Sequence, residues 1–155
     1  MPNKILAEHG DSTVLTITLA SLASSTVGVG RQSNMINNLD NAQFIRVFFK
    51  VTTGTSPTNN RSIKFHLLTG DNPASSNIRT DGAGANDEGL TVETAPLVYV
   101  IQTDNSSDKT YQGSFLIRNP GAEWGIAVVH DTGVNLNATG GNHELRYVTE
   151  DQEIQ

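Results

Sequence analysis

Apolar and polar residues alternate most cleanly in FIRVFFKVTT, residues 44–53. Ile45, Val47, Phe49 and Val51 form one wholly apolar face, and Phe44, Arg46, Phe48 and Lys50 share the other. A period of two places successive side chains on opposite sides of an extended backbone, so this segment predicts a core strand. SIKFHLL, residues 62–68, sets Ile63, Phe65 and Leu67 against Lys64, His66 and Leu68. The intervening TGTSPTNN is made of turn formers, and the spacing predicts a hairpin with a long tip. Three more strands are predicted at LVYVIQT (97–103), YQGSFLIRN (111–119) and EWGIAVVHD (123–131). Tyr111, Gly113, Phe115 and Ile117 point one way in the second; Trp124, Ile126 and Val128 oppose Gly125, Ala127 and Val129 in the third.

Near the start, TVLTITLASLAS (13–24) alternates Leu15, Ile17 and Leu19 with Thr16, Thr18 and Ala20, a strand pattern. A helix would instead use Leu15, Leu19 and Leu22, but the β-branched Thr-Ile-Thr run disfavours it. Gly28 and Gly30 permit a bulge or turn before the next extended stretch. Residues 69–89 lose the apolar signal and predict a long surface excursion. HELRYV (143–148) is the last predicted strand, followed by a polar tail over 149–155, and residues 1–12 predict an extended arm. Seven or eight strands without a helix, a repeat or a linker predict one domain over 1–155. Its expected fold is all-β, an antiparallel β-sandwich of jelly-roll or Greek-key type.

Composition narrows the partners. Only 17% of the 155 residues are charged, against about 25% in ordinary soluble domains, and Thr, Ser, Asn and Gly make up the difference. The net charge of −6, with no Lys/Arg cluster, argues against nucleic acid. No apolar run approaches the ~20 residues that span a bilayer, so no membrane partner is expected. MPNKILAEHGDS has no h-region of a secretory signal, which predicts synthesis in the cytoplasm of the producing cell. The absence of cysteine excludes a disulfide framework and thiolate metal sites.

The chemistry-bearing residues are scattered. His130 and Asp131 are sequence neighbours, so on a strand their side chains diverge and cannot act as a base and its orienter. HDTG therefore reads as the strand's exit into a turn, with Asp131 capping the backbone near Gly133. GVGRQS lacks both the final glycine of a dinucleotide loop and the Lys-Ser/Thr of a P-loop. Asp81, Asn86, Asp87 and Glu88 are oxygen donors that could serve calcium, but not in EF-hand order, and a solvated loop is the simpler reading of 79–89. His9, His66, His130 and His143 show no zinc spacing, and Glu93, Asp104, Asp108 and Glu123 form no recognisable glycosidase pair. Asn105-Ser-Ser and Asn137-Ala-Thr fit a glycosylation sequon without an export signal to use it. Trp124 could stack on a sugar if exposed, but it sits in an apolar alternation that predicts burial. No catalytic, cofactor-binding or metal-binding residue is expected, and a hydrolase is disfavoured.

Two blocks resemble a known group. STVLTITLASLASSTVGVGRQSNMINNLDN (12–41) and AEWGIAVVHDTGVNLNATGGNHELRYV (122–148) are similar to small virion proteins of tailed bacteriophages, of the head-decoration or capsid-cement kind. The resemblance implies a non-enzymatic β-sandwich that binds the major capsid protein on the outer shell of the virion. It also implies a homotrimer, and it marks Arg31, Gln32 and Ser33 as partner contacts because they lie in the first block. A tail or receptor-binding module that recognises carbohydrate is the alternative.

Overall fold

The computed structural model of the chain describes residues 5–71, 86–90 and 95–154. Among these, eleven strands form two antiparallel sheets that pack face to face. The first sheet holds β1 (Ile5–His9), β2 (Thr13–Leu15), β5 (Phe44–Thr52), β9 (Thr110–Arg118) and β11 (Glu144–Ile154). β1 and β2 lie end to end along β11, which pairs next with β5, and β5 with β9. The second sheet holds β3 (Val29–Gln32), β4 (Ile36–Asn37), β6 (Arg61–Gly70), β7 (Glu88–Gly89), β8 (Leu97–Thr103) and β10 (Glu123–His130). Here β3 and β4 lie end to end along β10, β10 pairs with β6, and β6 with β8, while β7 adds to the free side of β3.

The apolar faces read from the alternation are the faces that meet. Ile45, Val47, Phe49 and Val51 from one sheet pack on Ile63, Phe65, Trp124, Ile126 and Val128 from the other, all essentially buried. Phe49, Phe65, Tyr99 and Phe115 form an aromatic cluster with ring centroids 5.1–6.4 Å apart. Trp124 is fully buried and meets Tyr147 edge-on at 5.0 Å, an arrangement that the quadrupoles of the two rings favour. Opposite Phe49 on β9 sits Gly113, where a Cβ would come within 2.8 Å of the Phe49 ring.

The structure corrects three expectations. β5 and β6 do not form a hairpin: they belong to different sheets, and residues 53–60 carry the chain across the sandwich. The two strands set their apolar faces together across the sandwich, about 10 Å apart, and each pairs its edges with other strands, β5 with β11 and β9 and β6 with β10 and β8. Of TVLTITLASLAS only Thr13–Leu15 is strand; the rest crosses irregularly between the sheets, with Leu15, Leu19 and Leu22 buried and Ile17 only half-buried. The alternation still sorts the side chains, with Leu15, Ile17 and Leu19 packed on the core and Thr16 and Thr18 exposed; what it does not bring is a place in a sheet. The polar tail is strand: β11 continues to Ile154. Its partner is the N-terminal arm, with Ile5 paired to Ile154 and His9 to Glu150, so the backbone ladder holds a segment whose side chains show no apolar period.

The excursion between β6 and β8 has a structural job where it is described. Leu90 and Ala95 pack with Leu68, Ala127, Val129 and Met35 in a second small core on the outer side of the second sheet. His66 lies beneath it and donates from Nδ1 to the Ala95 carbonyl at 2.8 Å. Residues 72–85 and 91–94, including Asp81 and Glu93, lie outside the described residues.

Candidate functional site

His130 ends β10 on its core side and is fully buried. Its Nε2 lies 2.9 Å from the Leu22 carbonyl, and a carbonyl can only accept, so the proton is on Nε2. Nδ1 meets Thr132 Oγ1 at 3.0 Å. Burial pushes the imidazole below its ordinary value, opposed by the bond to Leu22 and by Asp131 and Asp87, and reinforced by His143. The residue is a neutral clamp. The Leu22 carbonyl also accepts from Leu136 N–H, and Ser24 Oγ accepts from Gly133 N–H, so the turn after β10 is stitched to the 16–28 crossover.

Asp131 points the other way, as neighbours on a strand must, but it does not cap the turn near Gly133. Its Oδ1 accepts from Ser62 N–H at 2.7 Å and from Ser62 Oγ at 3.1 Å. Partial burial pushes this carboxyl up, and the Ser62 bonds with Lys64 and Arg61 more than reverse that, leaving it below the ordinary carboxylate value. Asp131 also lines an open cleft of about 250 Å³ with Lys64, Ser25 and Gly28. His143 is likewise committed: Nε2 donates to the Asn137 carbonyl at 2.8 Å, and Nδ1 accepts from Thr52 N–H at 3.4 Å. Burial lowers its value too, opposed by the Asn137 bond.

Of the marked contact residues, Arg31 and Ser33 are bonded within the fold. Arg31 donates from Nε to Asp87 and from Nη1 to the carbonyls of Thr18 and Ala20, both at 2.9 Å, which closes one side of the sandwich. Asp87 Oδ2 accepts in addition from Ala23 N–H, so this residue of the acidic loop serves the fold. Ser33 is buried at the break between β3 and β4, where its Oγ accepts from Ile126 N–H and donates to Asn34 O. Gln32 lines an open cleft together with Ser33 and makes no side-chain bond to the described residues. Among the described residues no three His, Asp or Glu side chains gather as metal ligands.

Among the surfaces left outward, beside exposed Val27, Leu39, Leu97 and Val100, is the solvent side of the first sheet, a feature the sequence reading passed over. Register places Val14, Arg146, Phe48 and Ser114 in one row across β2, β11, β5 and β9. The next row is Val148, Arg46 and Leu116, and the one beyond it is Glu150, Phe44 and Arg118. Phe48 keeps 41% of its surface exposed and Val14 48%. Arg46 forms two bonds to Glu150, at 2.5 and 3.2 Å, and Arg146 binds Glu144 at 3.0 Å and the Ser12 hydroxyl at 2.9 Å. Arg118 stands over the Phe44 ring, 5.6 Å from its centroid. The signal that could have found this face was present: Phe44 and Phe48 alternate with Arg46 and Lys50 on the side of β5 that faces away from the core.

Comparison with models of known protein families and with curated proteins finds no match for this chain.

Proposed function

We propose that the chain is a structural protein of a phage particle, which binds the major capsid protein on the outer surface of the capsid and stiffens the shell without catalysing a reaction. We further propose that the sandwich is a jelly roll and that the protein acts as a homotrimer. The strand order supports the first of these. Counting β1 with β2 and β3 with β4, and leaving β7 aside, eight strands in chain order fall as 1-8-3-6 in one sheet and 2-7-4-5 in the other. That order is the one expected of a double Greek key, the arrangement on which capsid and lectin domains are built, and so it supports the jelly-roll reading. The trimer rests on the two terminal blocks that resemble decoration proteins.

The observation that carries the functional reading is the use the chain makes of its polar groups. His130, Asp131, His143 and Arg31 each hold one part of the backbone or one side chain to another. One outer sheet face is left with an aromatic and arginine surface. Aromatic residues and Arg are the types enriched where proteins mate. Trp124 is inside, so it is not the platform that the sugar-binding alternative would need.

The test is thermal release of packaged DNA from particles made with and without the chain. Particles without it are expected to lose DNA at a lower temperature, and equal release temperatures would overturn the reading. Sedimentation equilibrium of the free protein checks the trimer, which requires three times the 16.6 kDa chain mass.

A further inference from the structure

We propose that the solvent face of β2, β11, β5 and β9 is the docking surface of the capsid-binding reading, on which this inference rests, and that it takes a protein surface apolar at its centre and edged by carboxylates. The first argument is charge. The face carries Arg46, Lys50, Arg118 and Arg146 of the chain's ten Lys and Arg, with Glu144 and Glu150 of its sixteen Asp and Glu. It is therefore net +2 on a chain of net −6, which leaves −8 elsewhere. The cations are concentrated on one face of an acidic protein.

The second argument is how those cations are held. Arg46 and Arg146 are already paired with Glu150 and Glu144, and Arg118 is braced on Phe44. Side chains fixed in this way lose less freedom when a partner arrives, and a guanidinium fork matches a carboxylate. Apolar side chains share the rows with the cations: Val14 and Phe48 flank Arg146 in one, Val148 and Leu116 flank Arg46 in the next. A phosphate backbone needs contiguous unpaired cations and gains little from these apolar side chains, whereas a protein surface with an apolar centre buries them.

The third argument concerns a second copy. A twofold pairing would set this face against itself, net +2 on net +2, and like charges across an interface are repulsive. The face is therefore complementary to an acidic surface, and not to its own copy turned about a twofold axis.

The test is co-sedimentation of the full chain with capsid shells assembled without it. Phe48→Ser removes the aromatic centre and is expected to weaken binding about thirtyfold, the size of a hot-spot loss. Lys50→Glu combined with Arg118→Glu is expected to weaken it about tenfold at about 0.05 M salt, with the difference shrinking toward about 0.5 M as screening grows. Val14→Ser at the edge of the face supplies the same readout should Phe48→Ser fail to fold.

If the wild-type chain binds shells and all these variants bind equally, the docking surface is wrong and the capsid reading stands. If the wild-type chain does not bind shells, the capsid reading falls and takes this inference with it. If the variants alter the mass of the free protein instead, the occupant is a second copy, and the proposal of an acidic partner is overturned.

Discussion

β5 and β10 run through the middles of their sheets, and their outer sides differ. All eight residues of β10 are buried. β5 alternates, with Ile45, Val47, Phe49 and Val51 buried while Phe44, Arg46 and Lys50 stay half-exposed and Phe48 exposed. The cause is not the sandwich, which covers one side of each. The second sheet is covered again on its outer side by the chain's own excursion, through Leu90 and Ala95. The sequence of β10 is fitted to this: Gly125, Ala127 and Val129 on the outer side are small and apolar, whereas β5 carries large and charged residues there. The covered side pairs these small apolar residues with the buried Glu123 and His66, and the side left open on β5 keeps its bulk and charge at the surface.

The largest effects should come from breaking the covered face. Ala127→Arg would force a long charged side chain into the packed cluster of Leu68, Leu90, Ala95 and Val129 beside His66, and should cost at least about 3 kcal/mol in denaturant unfolding. His130→Ala comes next. It opens a cavity and leaves the Leu22 carbonyl with only the Leu136 N–H, so a loss of about 3 kcal/mol is expected. If either variant unfolds like wild type, the second sheet is not sealed as described.

Within the first sheet the inner side is as tightly set as the second, which Gly113 tests. Its absent Cβ leaves room for the Phe49 ring, so Gly113→Ala must displace an aromatic packed in the four-ring cluster. A loss of about 1–3 kcal/mol is expected, the usual cost of overpacking. Gly113→Ala at no cost would mean that the ring has slack.

The difference between the two sheets also marks how much of the molecule could be read beforehand. Strand positions and inner faces were legible because period two is a local property: Ile45 to Val51, Ile63 to Phe65 and Trp124 to Val128 all bury as the alternation required. The pairing was not legible, since which edge β5 seeks depends on β11, about a hundred residues away, rather than on the nearby β6. The ends were missed for the same reason. A polar segment such as residues 149–154 becomes strand only because residues 5–9 supply the ladder. At His130 the divergence from Asp131 was legible, but the clamp was not, because its acceptor is the Leu22 backbone and backbone acceptors leave no trace in a sequence.

A pH scan sharpens the histidine part of the comparison. His130 and His143 both have values depressed by burial, so the unfolded chain binds protons more readily than the folded one. Their contribution to stability is then complete above the ordinary histidine value of about 6.5 and is lost as pH falls through it toward the depressed folded values. The denaturant midpoint should decline between about pH 7 and about pH 5.5, above the ordinary carboxylate range. The decline should be shallower in His130→Ala. A midpoint that rises over this interval would contradict the neutral clamp.

The smallest effect is expected where the chain is barest, and adjacent residues make the contrast sharp. Val47 and Phe48 are neighbours on β5 with the same backbone pairing, but Val47 is fully buried and Phe48 is 41% exposed. Val47→Ser should cost about 2–3 kcal/mol, because it removes apolar contacts from the core and buries a hydroxyl there. Phe48→Ser should cost about 1 kcal/mol or less, since its ring rests on neighbours but is not enclosed. Equal losses would mean that the outer side of the first sheet belongs to the folding core. A near-neutral Phe48→Ser would mean that folding alone does not account for a phenylalanine at that position, which is what an intermolecular contact requires.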